Sequence, residues 1–432
     1  MLCTATFFDG FDGLVIQSAL PLILTAMGVS LASAGVIVSA QFWGGVIGGL
    51  SAGILAERYG RRRVLLASCG ILGLTSIFVA FAQDFNQLVL ARTVQGAAGA
   101  MEIPIAGAMF NEFVKSSHRG TAVYVYETMY AWGGYVAPWL GLAFIALVGQ
   151  NEAWRGMFLF GALPLLMVLI RKRALPESPR WLLNQGRVQE AQTIIEQFEL
   201  SAEKRAGGQP LAEPVVIAQP QIKKTNFLEL FQSQYRGRTI MMLVWIMMVY
   251  AFTFGYRPFI AALYVTVGGL PIASALALTI AGQLISIPWN YFVAFTLDRF
   301  GRRFYFGWGL VFGALVMAIG AIVVGSFGLK SWPVLFAVTQ ITAMAATSTI
   351  GFFVYVPELY PTRMRAWATS VGSTGLYFVS SFMPIVVGLT AASALGLGGV
   401  YVLMAVCLLI GGFTLLRFGP ETSRRVLEEI AA

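Results

Sequence analysis

Charge is scarce in this chain: Asp, Glu, Lys and Arg make up 11% of its 432 residues, where soluble domains carry about 25%. That poverty excludes an ordinary water-soluble globule. One histidine and three widely separated cysteines, Cys3, Cys69 and Cys407, offer neither a metal-ligand spacing nor a disulfide framework. No Gly-x-x-x-x-Gly-Lys-Ser/Thr run occurs, so ATP-driven work has no phosphate-binding loop. The lack of a His/Glu/Cys constellation or a nucleophile pair argues against an intramembrane enzyme. No cofactor and no metal are expected. A cleavable signal peptide is not visible, because Met1 leads almost directly into apolar sequence. The abrupt start is what loss of a short N-terminal tail would leave.

What is present is apolar sequence, 57% of the residues, with a mean hydropathy of +0.74. A bilayer core of about 30 Å needs about 20 apolar helical residues per crossing. The runs are continuously apolar and Gly-rich rather than alternating, which favours helices over a barrel. They predict spans near 1–26, 32–56, 64–82, 87–110, 120–148 and 154–170. A second set falls near 239–267, 271–297, 304–327, 332–356, 366–389 and 396–417. The expected fold is therefore all-α and integral to the membrane, with twelve spans in two pseudo-symmetric six-helix bundles. The expected organisation is an N-terminal bundle over 1–172, a linker over 173–238, a C-terminal bundle over 239–418 and a tail over 419–432.

The net charge of +9 suggests nucleic acid until its distribution is read. Every Lys and Arg except Arg92, Arg155, Arg257 and Lys330 falls in the even-numbered connections, at the end of the last span (Arg417) or in the C-terminal tail. The positive-inside rule then places both termini in the cytoplasm, in a multi-pass plasma (inner) membrane protein. The basic balance encodes topology, and no nucleic-acid partner is expected.

Three motif pairs repeat at nearly one spacing. Glu57-Arg58-Tyr59-Gly60-Arg61-Arg62 recurs as Asp298-Arg299-Phe300-Gly301-Arg302-Arg303, 241 positions later. Pro176-Glu177-Ser178 recurs as Pro420-Glu421-Thr422 after 244, and Glu112 with Arg119 as Glu358 with Arg365 after 246. Such a repeat points to a transporter built of related halves, with its site at their interface near the midplane. In the linker, Val188, Ala191, Ile194, Ile195 and Phe198 form one apolar stripe, spaced for a helix lying on the membrane or the bundle.

These residues carry a family signature. Gly53-Ile-Leu-Ala-Glu57-Arg58-Tyr-Gly60-Arg61-Arg62-Arg63 resembles the cytoplasmic loop motif of the major facilitator superfamily. Arg92-Thr-Val-Gln95-Gly96, Pro176-Glu-Ser-Pro-Arg-Trp181, Pro357-Glu-Leu-Tyr-Pro-Thr-Arg363 and Gly419-Pro-Glu-Thr422 resemble its sugar-porter and organic-ion branches. Asp9-Gly-Phe-Asp12 is similar to the aromatic acid:proton symporters. Gly99-Ala-Met-Glu102-Ile-Pro104 with Glu127-Thr-Met-Tyr-Ala131 is similar to nicotinate and related metabolite transporters. The seventh span reads Val249-Tyr-Ala-Phe-Thr-Phe-Gly-Tyr-Arg257 and lacks the sugar porters' Gln-rich motif. The resemblance implies a proton-coupled importer of a small organic acid working by rocker-switch alternating access. It also implies that Asp12 pairs with Arg92.

Ionisable groups inside spans cost about 2.5–3.5 kcal/mol each on insertion scales, which makes them functional candidates. Here they are Asp9, Asp12, Arg92, Glu102, Glu127 and Arg257. Asp9 and Asp12 share a helix face, either as a polar cluster hydrating the cytoplasmic mouth or as a proton site. Residue counts from the predicted span ends set Asp12 and Arg92 about 10 Å apart in depth. Arg92 reads as Asp12's partner or as a structural group holding Glu127 or carbonyls. Glu102 and Glu127 read as proton carriers, substrate contacts or satisfied interhelical groups. Together Asp9, Asp12, Glu102, Glu127 and Arg92 are the proton-coupling candidates.

Aligning Gly10-Phe11-Asp12 with Gly255-Tyr256-Arg257, 245 positions on, makes Arg257 the symmetry mate of Asp12. A guanidinium there offers two-pronged recognition of a carboxylate, or alternatively an interhelical lock. Tyr256, Gln17, Tyr130, Trp289 and Tyr377 are the accompanying substrate-binding candidates. Glu57, Arg58, Arg61, Arg62, Arg119, Asp298, Arg299, Arg302, Glu358 and Arg365 are expected to gate. Glu57 and Asp298 would sit near helix N-termini, where the dipole favours an anion. Gly44 with Gly48, and Gly45 with Gly49 and Gly53, are spaced for close helix contact. His118 reads as a solvated loop residue. Expected partners are a small-molecule substrate, protons and the lipid bilayer, with the chain a monomer. A sugar or polyol porter, a drug or cation exporter and a non-transporting receptor are the rival readings; Arg257 speaks against cations and the paired gating motifs against a receptor.

Overall fold

The computed structural model describes residues 2–113, 119–171, 175–205, 227–361 and 364–423. His118 and the side chains of Glu112, Arg119 and Glu127, for which the sequence set expectations, lie outside the described residues. Among the described residues twelve helical crossings follow one another. The first five are Leu2–Met27, Leu31–Tyr59, Arg61–Ala80, Phe85–Phe113 and Arg119–Val148. The sixth is broken into Ala153–Phe160 and Leu163–Arg171. Ser233–Thr266, Ile272–Phe300 and Phe304–Gly325 are the seventh to ninth. The tenth is again in two pieces, Trp332–Ala345 and Ser348–Glu358, and Arg365–Ala392 and Gly396–Phe418 complete the set. Among the described residues nine helices are long and apolar enough to cross a membrane by themselves. Large apolar side chains such as Phe295, Leu147 and Ile54 stand exposed on them, as a lipid-facing surface requires.

Proline sets the irregularity of the seventh span. Pro258 has no amide N–H, and its ring crowds the carbonyl one turn back. The helix answers with a π turn over Ala251–Tyr256 and a 3-10 turn over Arg257–Phe259 before resuming at Ile260. Arg257 thus sits at the seam between two non-α geometries, a place where wide turns often mark functional sites.

Glycine decides how closely the helices approach. A Cβ on Gly44 would lie 1.7 Å from the Thr93 carbonyl oxygen, and one on Gly48 would lie 2.0 Å from that of Ala97. The second and fourth spans therefore touch backbone to backbone. The other glycine row of the second span faces the second half of the molecule: a Cβ on Gly45 would meet Tyr377 at 2.6 Å. Along that row the contact fades, to 3.9 Å at Gly49 and nothing within 4 Å at Gly53. At the other end of the span, Gly35 abuts the Pro384 carbonyl. Trp43 Nε1 donates to the Ser381 carbonyl at 2.8 Å. The halves are thus joined at the Gly35 end and part toward the side carrying residues 57–63 and 298–303, called the motif side below.

Between the halves, Pro179–Asn184 and Val188–Arg205 form two short surface helices. Of the expected stripe, Ala191 is fully buried, while Val188, Ile195 and Phe198 remain largely exposed.

Candidate functional site

The centre of the N-terminal half is a buried polar cluster. Arg92, on the fourth span, and Asp12, on the first, are 0% and 2% exposed, and Arg92 Nη1 lies 3.8 Å from Asp12 Oδ1. The same Nη1 donates to the Asp12 carbonyl at 3.4 Å and to Gln95 Oε1 at 2.8 Å. Arg92 Nη2 donates to Gln41 Oε1 of the second span. Gln95 Nε2 in turn donates to Asp12 Oδ1 and, at 2.8 Å, to Ser76 Oγ of the third span. The Phe158 ring lies 5.6 Å from the Arg92 guanidinium carbon. Four spans therefore hold one ion pair through two amides. The depth gap of about 10 Å expected from residue counts is corrected by this geometry. Span ends extend unevenly beyond the apolar runs, and helix length measures depth only if the helices are parallel.

Close approach makes the cluster possible. A Cβ on Gly96 would fall 1.8 Å from the Gln41 carbonyl oxygen. Only glycine there brings Gln41 near enough to reach Arg92. In the sequence Gln95 stands only as part of the family motif, without a role, and Gln41 and Ser76 are not expected at the site. A usable signal existed: Gln95 stands three residues after Arg92, on the same helix face.

The other acids lie toward the motif side. Asp9 is 7% exposed, and its Oδ1 lies 2.7 Å from where a Gly99 Cβ would stand. Glu102, 1% exposed, accepts from Cys69 Sγ at 3.7 Å, while its Oε1 has no hydrogen-bond partner among the described residues.

A narrow cavity of about 20 Å³, room for one water, separates this cluster from the other half. Gln17, Gln41 and Phe42 line one wall and Thr253, Phe254 and Arg257 the other. Arg257 makes no hydrogen bond or ion pair with the described residues. Phe42 and Phe254 meet across the gap with ring centroids 5.0 Å apart. Tyr130 presents its hydroxyl to Gly13 beside Gln41, and Tyr377 lies against Gly45. Two expected substrate contacts are placed elsewhere. Tyr256 is 1% exposed and bonds Thr339 Oγ1 at 2.7 Å, because the π turn rotates it into the C-terminal core. Trp289 donates to the Met344 carbonyl at 2.7 Å and lines a lateral apolar groove instead.

At the motif side the acids at the helix N-termini are not Glu57 and Asp298, as expected, but Glu177 and Glu421. Glu177 Oε1 accepts the backbone N–H of Arg62 at 2.9 Å. Glu421 accepts those of Arg302 at 2.9 Å and Arg303 at 3.0 Å. Gly60 and Gly301 have φ of +96° and +90°, and a Cβ on either would strike the capping carboxylate at 2.5 and 2.6 Å. Burial by itself would raise the Glu421 carboxyl, but amides of Ser423, Arg302, Arg303 and Thr422 outweigh it and hold it below the usual carboxylate range. Arg302 also bonds Asp298 at 2.5 Å and Glu358 at 2.8 and 3.1 Å. The Glu57 side chain is exposed, while its carbonyl accepts from Trp181 Nε1 at 2.8 Å. Arg58 and Arg299 lie exposed, over Tyr59 and Phe300. Arg365 Nε donates to the Tyr360 carbonyl at 3.3 Å.

Two six-helix bundles, a buried ion pair beside the interface and a cavity between the halves define a multi-pass membrane transporter. The chain belongs to the family of sugar (and other) transporters, whose model matches residues 2–432. It is 26% identical to the niacin transporter NiaP of Acinetobacter baylyi, over 98% of this chain and 93% of that one. It is 32% identical to solute carrier family 22 member 7 of Rattus norvegicus, over 78% of this chain and 60% of that one. The fold is that of the inward-open xylose transporter XylE from E. coli, at a TM-score of 0.75 and 18% identity, covering 99% and 97% of the two chains.

Proposed function

We propose that this chain takes up a small organic anion together with a proton, by alternating access, with both termini in the cytoplasm. The observation that carries the reading is Arg257: a guanidinium on the wall of the narrow cavity between the halves, with no ion pair among the described residues. An uncompensated cation there is costly, and an anionic substrate satisfies it. Asp12, on the other half and already paired with Arg92, is free of that duty and serves the proton. Phe42 and Phe254 flank the site and suit a flat ring. The relative named as a niacin transporter supports an anion, niacin being a pyridine carboxylate. The charged clusters at the motif side serve as gating elements.

A sugar or polyol is the second reading, favoured by the amides of Gln17 and Gln41 in the cavity wall and by the xylose transporter's fold. The test is ligand affinity of purified carrier for aromatic and aliphatic acids, sugars and amines, read by thermal shift and calorimetry. Acids bind, and Arg257→Ala loses about 2–5 kcal/mol of that affinity. Arg257→Lys loses less, because it keeps the charge but not the fork. Unchanged affinity for an acid in well-folded Arg257→Ala sinks the anion reading, and binding of sugars alone establishes the second.

A further inference from the structure

Three acids of the N-terminal half lie at successive levels of the fourth span. Asp12 is held by Gln95, Asp9 lies against Gly99, and Glu102 itself stands one turn further toward the motif side. From Gln95 to Glu102 the helix rises about 10 Å. The third span shows the same order, with Ser76 at the level of Gln95 and Cys69 at that of Glu102. The two ends of this ladder differ in electrostatic setting. Asp12 has a guanidinium and an amide donor, the surroundings of an ionised carboxylate. Glu102 has a thiol at 3.7 Å, and among the described residues its other buried oxygen has no partner and it forms no ion pair. A buried carboxylate without a cation is far more costly than a neutral acid.

We propose that in this conformation the transported proton resides on Glu102, having passed from Asp12 by way of Asp9, inside the N-terminal bundle rather than through the substrate cavity. The inference rests on the proton-coupled reading above. In the transfer the O–H bond of neutral Asp12 breaks, leaving the carboxylate paired with Arg92, and an O–H bond forms on Glu102. Facing Glu102 are Cys69 from the third span and, one turn away, Asp9 from the first. The second span brings Ala52 and Ala56 to this region. The fifth brings Tyr126, with Tyr130 near Gly10 and Gly13 of the first span and Glu127, whose side chain lies outside the described residues. Leu65, Ile105 and Met109 pack between Glu102 and the motif side, so the proton is occluded here. Release requires the end of the fourth span to move. Pro104, two residues on, frees the Ala100 carbonyl and weakens the helix at that point.

The experiment is infrared spectroscopy of purified carrier at neutral pH, paired with proteoliposome flux. A neutral-carboxyl C=O stretch is present in the wild type and in Asp12→Asn, and absent from Glu102→Gln. Cys69→Ser, which sets a stronger donor against Glu102, moves that band to lower frequency. In flux, Glu102→Gln loses accumulation driven by a pH gradient and retains counterflow exchange. A band that survives Glu102→Gln, or is lost only in Asp12→Asn, overturns the proposal. If Glu102→Gln fails to fold, an unshifted band in Cys69→Ser overturns it equally. A wild type without pH-driven uptake refutes coupling itself; a coupled wild type whose Glu102→Gln form accumulates fully refutes the ladder alone.

Discussion

Asp12 Oδ1 lies 3.8 Å from Arg92 Nη1, yet the group that bonds it directly is the Gln95 amide, which also binds Ser76. The ion pair is therefore held through a neutral bridge, and it loosens when Asp12 gains a proton without dismantling the cluster. Asp12→Asn is expected to abolish accumulation driven by a pH gradient while retaining counterflow exchange, measured in proteoliposomes. Full accumulation by Asp12→Asn would show that the proton site is elsewhere. Arg92→Ala, by contrast, strands a buried carboxylate and costs about 3–5 kcal/mol of stability, read as a lowered thermal midpoint.

The two glycine rows of the second span give opposite outcomes. Gly48→Val drives a side chain into the Ala97 carbonyl, which a Cβ already approaches to 2.0 Å. Overpacking of this kind costs about 1–3 kcal/mol or more, and the variant's thermal midpoint falls. Gly53→Val meets open space and leaves the midpoint unchanged. Equal midpoints for the two variants would contradict the backbone contact between the second and fourth spans.

Glu421 makes motif-side stability depend on pH. Its carboxyl is held below the unfolded value, so its contribution is fully present above that unfolded value, about 4.3. It is lost as pH falls through the lower folded value. Loss of a helix N-terminal acceptor costs about 0.5–2 kcal/mol. Glu421→Gln is therefore expected to melt below the wild type at pH 7, with the gap closing in the acid range. A gap that persists unchanged to low pH would mean that the effect is packing rather than charge.

Topology is open to a direct check in a cysteine-free background. Single cysteines at Arg63 and Arg299 should react with an impermeant maleimide from the cytoplasmic side, and cysteines at Gly149 and Lys330 from the opposite side. Labelling of Arg63 and Arg299 positions from opposite faces would break the two-halves topology.

Much of the fold was legible because the bilayer imposes one rule on every crossing, and the apolar runs obey it to within a few residues. The repeat was legible too, since Gly60 and Gly301 need the same positive φ in both halves. The site was legible only as a set of charges. Asp12 and Arg92 announce themselves by being ionisable in apolar sequence, but Gln41 and Ser76 are neutral and acquire meaning only when four helices converge. Tyr256 sits beside Arg257 in sequence and faces away from the cavity, because a π turn adds a residue and shifts the phase of the helix. Glu177 and Glu421 lie more than 100 positions from the amides they cap, and no local pattern connects them.

Each of those two caps closes within its own half: Glu177 on the third span and Glu421 on the ninth. The hydrogen bonds that finish a bundle are thus supplied by the segment just after its sixth helix. Each bundle carries its own closure. The molecule is in this sense two genes' worth of protein written as one. Two fragments parted between the bundles, produced together in one membrane, each keep the carboxylate that caps their own third helix.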